Sequence, residues 1–318
     1  IAVIPAIGAH LMINTWIYDI RTWQAPDYTD DGVSLLAETL IEVTPQKSRI
    51  GTADQMESHL RMPLASFRQL ETQLQDRIVT GDTAITRRLR LIKSRAEITK
   101  IRNVCKIANR SFDRVSEIAR EGISVAQVFR EFQRLGLEEG ADWIPYMAGA
   151  AEQEGYGDVI SPATEDPLRS GDVLMLDTGM IWDGYFCDFD RNFSIGSASP
   201  EVRSAHAKLI DATQAAFGVA GPGSLVRDLY HAIMAIVDPQ SDGSAAGRMG
   251  HGLGMQLTEW PSIIAADTTP LEPGMVLTLE PGITMPNGKI MVHEENIEIT
   301  QSGAEWLSAP QSPEIRVL

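Results

Sequence analysis

The sequence is poor in cysteine and in positive charge. It contains two cysteines, Cys105 and Cys187, among 318 residues, too few for a disulfide framework or a cysteine-based zinc site. Lysine and arginine number 27 against 43 acidic residues, which gives a formal net charge of -16. Because no cluster of basic residues is available to neutralise phosphates, we expect no binding to nucleic acid or to an anionic membrane. The composition favours a small, cationic or metallic partner instead.

The sequence also lacks an apolar run long enough to span a bilayer. Its least polar stretch, residues 1–13, contains Pro5 and His10 and has no basic start typical of a signal peptide. With no disulfide framework, a reducing cytoplasm is the expected location. The chain begins with Ile1 inside a strand-like segment rather than with methionine, so we expect residues to be missing upstream.

The order of strand and helix patterns predicts two domains. Residues 1–90 alternate between the two patterns and form a smaller α/β domain. Residues 91–318 open with two amphipathic helices, predicted over 94–121 and 125–139 from apolar positions spaced by three and four. The strands and helices that follow are segregated along the chain. The predicted fold class is therefore α+β rather than a doubly wound sheet.

An acidic β-hairpin is the strongest local signal in the chain. The dipeptide Asp183-Gly184, between two apolar and aromatic runs, predicts a two-residue type I′ turn. In that register Asp177 lies opposite Asp190, with Asp188 diagonal to it, and alternation places all three side chains on one face. Three buried carboxylates repel one another unless a proton or a cation lies between them. The hairpin therefore predicts a site for divalent cations.

Further candidate ligands follow in a glycine-rich segment and in two strands. His251 lies between two glycines, a pattern that is equally consistent with a structural role. Glu280 ends an apolar strand, where a lone acid needs neutralisation or coordination. A two-residue turn at Asn287-Gly288 would place Glu280 opposite Glu295, whereas a bulge would place it opposite Glu294. The hairpin count leaves both alternatives open.

Carboxylates together with one imidazole are the ligands that two adjacent divalent ions require. Such a pair would activate a shared water and polarise a carbonyl, which is the chemistry of amide hydrolysis. The remaining histidines are expected to be surface or packing residues: His10, His59, His206, His231 and His293.

The motifs, taken in order, resemble those of the pita-bread metallopeptidases, which include aminopeptidase P, prolidase, methionine aminopeptidase and creatinase. LDTGMIWDGYFCDFDR resembles the family hairpin, GHGLGMQLTEWP its His-Gly-x-Gly segment, GMVLTLEPGI its Glu-Pro-Gly segment, and MVHEENIEIT its final glutamate strand. The resemblance implies a pita-bread catalytic domain behind a creatinase-type N-terminal domain, and a homodimer. It also implies two divalent ions (manganese, cobalt, iron or zinc) and the following ligands: Asp177, Asp188, His251, Glu280 and Glu294.

The sequence departs from the family at two histidines that are expected to bind the substrate carbonyl. Ile160 or Ser161 stands in place of the first, and Thr258 stands in place of the second. Asp190 replaces a usual threonine. Thr258, Asp190 or Tyr185 are the candidates to supply part of what the histidines do in the family.

The resulting hypothesis is a metallohydrolase of the Xaa-Pro dipeptidase or aminopeptidase P type. It would cleave an amide bond in a dipeptide or a small metabolite through a hydroxide that bridges two metal ions. Glu280 is expected to accept the proton from the attacking water, with Thr258 and Asp190 as further catalytic residues. Two alternatives stay open: a metal-dependent lyase, resembling a dimethylsulfoniopropionate lyase, with Asp190 as its base, and a non-catalytic binding protein on the same fold.

Overall fold

The computed structural model describes residues 1–240 and 247–318. The chain divides into two compact units, Ile1–Arg87 and Arg88–Leu318. Within the described residues, no helix has both the length and the apolar composition needed to cross a membrane.

The smaller unit pairs its strands in parallel, with helices between them. β1 lies beside β2, and β3 lies beside β4. A small buried core joins α2 and α3 through Ala37 and Leu70. The elements are β1 (Ala2–Pro5), α1 (Ala9–Met12), β2 (Ile20–Trp23), α2 (Val33–Val43), β3 (Arg49–Thr52), α3 (Leu64–Gln73), β4 (Ile78–Gly81) and, ending in the larger unit, α4 (Ile85–Leu91).

Four longer helices belong to the larger unit: α5 (Arg95–Asp113), α6 (Val125–Glu138), α7 (Pro200–Val219) and α8 (Val226–Val237). At the start of α5 the side chains of Ser94 and Glu97 each accept the other's backbone N–H, a capping box. The helix predicted over 94–121 ends earlier, and a 3₁₀ turn follows at Val115–Glu117. Because a 3₁₀ turn repeats every three residues, the apolar spacing continued past the true helix end.

Two five-stranded sheets dominate the larger unit. The first has the order β16-β8-β6-β5, with β7 also paired to β6, and the second has the order β10-β9-β11-β14-β15. β12 and β13 form a separate pair. The strands are β5 (Trp143–Gln153), β6 (Asp172–Trp182), β7 (Tyr185–Phe186), β8 (Phe189–Ser194), β9 (Gly250–Gly252), β10 (Glu259–Ser262), β11 (Val276–Leu279), β12 (Gly282–Thr284), β13 (Ile290–Val292), β14 (Glu295–Thr300), β15 (Gly303–Trp306) and β16 (Arg316–Val317).

Two hydrophobic clusters fix these sheets against the helices. The predicted α+β class is confirmed, since the long helices pack on sheets that are mostly antiparallel. Large buried side chains of β6, β8, β11 and β14 belong to these clusters, and the same strands carry or adjoin the acidic residues described below. The first cluster includes Phe112, Phe132, Leu176 and Phe189, and the second includes Leu209, Ile233, Leu277 and Ile297.

Candidate metal centre

The acidic hairpin forms in the predicted register. In the Asp183-Gly184 turn both residues are left-handed, with φ of 47° and 81°, as a type I′ turn requires. Trp182 pairs with Tyr185, and further along the ladder Asp177 lies opposite Asp190. A local turn signal was therefore sufficient to place two buried aspartates across from each other.

The second hairpin has a longer loop than the two-residue turn considered above. Met285 N–H donates to the carbonyl oxygen of Lys289 at 2.7 Å, which leaves residues 286–288 in the loop. Gly288 adopts the left-handed conformation, with φ of 84°. The register consequently shifts by one residue without any bulge.

This register decides between the two glutamates that the sequence left open. Leu279 pairs with Glu295 in the antiparallel ladder, so the next pair across the hairpin is Glu280 and Glu294. The backbone N–H of His293 donates to the carbonyl oxygen of Pro281 at 3.1 Å, which agrees with the same register. Since neighbouring side chains point to opposite faces, Glu295 projects away from the face that Glu294 shares with Glu280.

His251, Asp188 and Glu280 form the first group of potential ligands. Nε2 of His251 lies 2.9 Å from Glu280 Oε1 and 3.3 Å from Asp188 Oδ2. Nδ1 of the same ring lies 2.7 Å from the carbonyl oxygen of Gly252 and is placed to donate to it. That hydrogen bond favours the tautomer whose Nε2 lone pair faces the two carboxylates, as in histidines that bind metal.

Asp177, Asp188 and Glu294 form the second group, in which one ligand atom from each residue lies within 4.8 Å of the others. Oδ1 of Asp177 is buried and has no hydrogen-bond partner within the described part of the chain. Because a buried carboxylate oxygen without a partner is costly, this atom fits a cation. Asp188 belongs to both groups, so two cation positions would be adjacent and share it.

The buried carboxylates of these two groups favour a positive charge, either a proton or a cation, between them. Burial, and then the neighbouring carboxylates, raise the pKa values of Asp177 and Glu294 well above their usual range. Burial raises the pKa of Asp188 to about 6. Burial lowers the pKa of His251, but Glu280 and Asp188 outweigh it and raise this pKa to about 10. We call Asp177, Asp188, Glu280 and Glu294, with His251, the carboxylate cluster.

The carboxylate cluster lines a cavity of about 360 Å³. Ile160 and Thr258, the positions at which the family resemblance expects histidines, both line this cavity. The described lining residues therefore include one imidazole, that of His251. The apolar wall is formed by Val159, Ile160, Met175, Leu257 and Val292.

Two polar residues of the cavity were not found from the sequence. Tyr146 lies on β5, and burial together with the charge of Asp177 raises the pKa of its hydroxyl well above the usual range. Arg248 is the one arginine among the described lining residues, which include no lysine. The strand pattern around Tyr146 was visible, but the pairing of β5 with β6 that brings it to the cavity is non-local.

Asp190 and Tyr185, expected to act at the site, are placed elsewhere. Asp190 is fully buried and does not line the cavity. The hydroxyl of Tyr185 donates to Glu97 at 2.9 Å. Of the three candidates to replace the missing histidines, Thr258 alone lines the cavity. Because Asp190 has no access to the cavity, the lyase alternative loses the base that was expected for it.

The paired network, which we define as Asp190, Arg191, His293 and Glu295, lies behind the cluster. Asp190 Oδ1 lies 3.3 Å from His293 Nδ1, and His293 Nε2 lies 3.2 Å from Glu295 Oε1. Nη2 of Arg191 lies 3.0 Å from Glu295 Oε2. His293, expected to be a surface or packing residue, is thus buried between two carboxylates.

Comparison with known proteins assigns the fold and the family. Residues 99–301 match the model of metallopeptidase family M24. X-Pro aminopeptidase from Thermotoga maritima MSB8 superposes with a TM-score of 0.85 at 22% identity, covering 99% of this chain and 87% of that one. A dipeptidase from Pyrococcus horikoshii OT3 gives 0.86 at 22%, covering 99% and 85%. These likenesses confirm the predicted pita-bread fold.

Two sequence relatives extend the comparison. The Bacillus subtilis (strain 168) protein named "Putative dipeptidase YkvY" is 31% identical over 69% of this chain and 61% of its own length. Xaa-Pro dipeptidase from Pyrococcus furiosus is 29% identical over 69% of this chain and 64% of its own length. The chain thus aligns with less than two thirds of the length of each of these relatives.

Proposed function

Since the chain belongs to metallopeptidase family M24, we propose that it is a metal-dependent hydrolase that cleaves the amide bond of a dipeptide, of the Xaa-Pro type or related to it. The observation that carries this proposal is the convergence of two ligand groups on Asp188 in the lining of one cavity. A site with two adjacent cation positions and room for a small substrate is suited to amide hydrolysis.

Asp188, His251 and Glu280 would hold one cation, and Asp177, Asp188 and Glu294 would hold the other. Manganese, cobalt, iron and zinc all accept this ligand set, and we propose manganese as the first ion to load. When bound, such cations polarise the scissile carbonyl and lower the pKa of an attacking water. Two further expectations remain part of the proposal: a homodimer, which rests on the family resemblance, and a cytoplasmic location, which rests on the lack of a disulfide framework.

Glu280 is the residue that we assign to move the proton. Its side chain is 15% exposed and lines the cavity, so it can contact both an attacking water and the leaving amine. A carboxylate in this position accepts the proton of the water and returns it to the amine nitrogen as the amide bond breaks. Thr258 and Tyr146 line the same cavity, and we assign their hydroxyls as donors to the carbonyl oxygen.

The cavity also indicates the substrate. Its volume of about 360 Å³ suits a dipeptide better than an extended chain. Arg248, whose side chain is exposed, offers a positive charge for the free carboxylate of a substrate in an otherwise acidic site. The apolar wall described above suits proline or another small apolar residue.

The test is a hydrolysis assay on the metal-loaded protein with Xaa-Pro dipeptides, other dipeptides and the matching dipeptide amides. We expect hydrolysis of free dipeptides in the wild type, with the C-terminal amides cleaved more slowly. Asp188→Ala should lose bound metal and lose more activity than the about 10–100-fold typical of residues that only support metal ligands. Metal binding without hydrolysis of any amide would refute the proposed hydrolase activity and favour a non-catalytic binding protein.

A further inference from the structure

Asp190 is the one buried acid of the hairpin face that belongs to neither ligand group. It lies directly across from Asp177 in the β6–β8 ladder and is 0% exposed. Its Oδ1 accepts the backbone N–H of Glu294 at 2.9 Å. Asp190 therefore contacts the cluster through the backbone of a ligand and not through the cavity.

The peptide groups on both sides of Glu294 are fixed by side chains of the paired network. Asp190 holds the N–H of Glu294, and Nη1 of Arg191 donates to the carbonyl oxygen of Glu294 at 3.1 Å. Arg191 is itself anchored by Glu295 and by the carbonyl oxygen of Ala309. The backbone that carries this ligand is thus held at both ends, which limits how its side chain can be presented.

Two features argue against a merely space-filling role for Asp190. Its Oδ2 is buried and has no hydrogen-bond partner among the described residues, so the carboxylate is expensive to retain. Its partner His293 is equally buried and is shared with Glu295, so Asp190 occupies one end of an ordered chain of charges. A smaller or apolar side chain would avoid the cost of burying a carboxylate but would lose the contact with His293.

We infer that Asp190 is a positioning residue: through the N–H of Glu294 and the imidazole of His293, it sets the direction in which Glu294 presents its carboxylate to Asp177 and Asp188. This inference rests on the proposed role of Glu294 in binding a cation. It assigns Asp190 an indirect function in place of the catalytic one expected from the sequence. Residues that orient metal ligands in this way support metal affinity about 10–100-fold.

The test measures cobalt binding by Asp190→Ala and Asp190→Asn through the visible spectrum of bound cobalt, together with thermal unfolding of the cation-free proteins. We expect Asp190→Ala to weaken cobalt binding by about 10–100-fold and to alter the spectrum. Asp190→Asn keeps an oxygen that can accept the Glu294 N–H and should recover most of the affinity. Asp172→Ala is the matched control, because Asp172 is a buried acid of the neighbouring strand β6 that accepts the backbone N–H of Arg169.

The outcomes separate this inference from the proposed function. If the wild type binds no cobalt, the metal site itself is refuted. If the wild type binds cobalt and Asp190→Ala binds it with the same affinity and spectrum while losing thermal stability, Asp190 is only structural and the inference is overturned. Should Asp190→Ala fail to fold, His293→Gln decides: weaker binding with an altered spectrum supports the inference, and unchanged binding overturns it.

Discussion

The carboxylate cluster and the paired network lie next to each other, and both are buried and acidic. In the network every carboxylate faces a cationic or imidazole side chain, at 3.0 to 3.3 Å. In the cluster, the single imidazole, that of His251, contacts two of the four carboxylates, Asp188 and Glu280, and Asp177 Oδ1 is unpartnered within the described residues. Buried charge must be compensated. The chain supplies that compensation in the network, and in the cluster we propose that cations supply it.

Removing the guanidinium group of Arg191 from the network should have the largest effect on stability. Arg191→Met would leave Glu295 charged, buried and without its guanidinium partner. We expect the free energy of unfolding to fall by about 3–5 kcal/mol, the usual cost of breaking one side of a buried pair. Urea unfolding of the wild type and the variant measures this loss.

The matched control for that variant removes both charges. Arg191→Met combined with Glu295→Met should recover part of the lost stability, because no unpaired buried charge remains. A loss below about 1 kcal/mol in the single variant, which is the range of exposed ion pairs, would show that the network is not compensated in the way described.

Adding a cation should stabilise the cluster and leave the network unaffected. At a concentration of manganese or zinc about 100 times its Kd, linkage predicts a gain of about 2.7 kcal/mol in the free energy of unfolding. Thermal unfolding with and without the ion measures it. Asp188→Asn should show little of this gain, whereas Asp172→Asn, a change of a buried acid outside both ligand groups, should show all of it. Equal gains in the two variants would contradict the assignment.

A pH-dependent effect is expected at His206, whose ring lies 6.3 Å from that of His293, at the edge of the network. Burial lowers the pKa of His206 from 6.5 to about 4. The unfolded chain therefore takes up a proton first as pH falls, and folded stability should decrease between pH 6.5 and pH 4 by up to about 1.4 kcal/mol per pH unit.

His206→Gln should reduce this pH dependence while keeping an N–H near the carbonyl oxygen of Ser312, which now lies 3.0 Å from His206 Nε2. The measurement is the difference in unfolding free energy between wild type and variant at several pH values from 7 to 4. His231→Gln, at an exposed position, should leave the profile unchanged. If the pH profile of the variant parallels that of the wild type, His206 does not cause this loss of stability.

The sequence predicted the parts of the site that local chemistry controls. The Asp183-Gly184 turn fixed the pairing of Asp177 with Asp190, because turn geometry and period-two alternation act over neighbouring residues. The ordered motifs also identified the pita-bread fold. By contrast, the 286–288 loop carries one residue more than the turn signal implied, and this single residue decided which glutamate faces Glu280.

By itself, the sequence determined the fold class, the family and the set of acids available to a cation, because these follow from composition, local turns and ordered motifs. Tertiary structure alone decided that Asp188 belongs to both ligand groups, that Asp190 accepts the backbone N–H of Glu294, and that Tyr146 and Arg248 line the cavity. These outcomes depend on pairing between strands far apart in the chain. The energy of a buried charge depends on which partners that pairing brings within a few ångströms, and an aspartate therefore lies in a group of carboxylates on one strand and opposite an imidazole on the next.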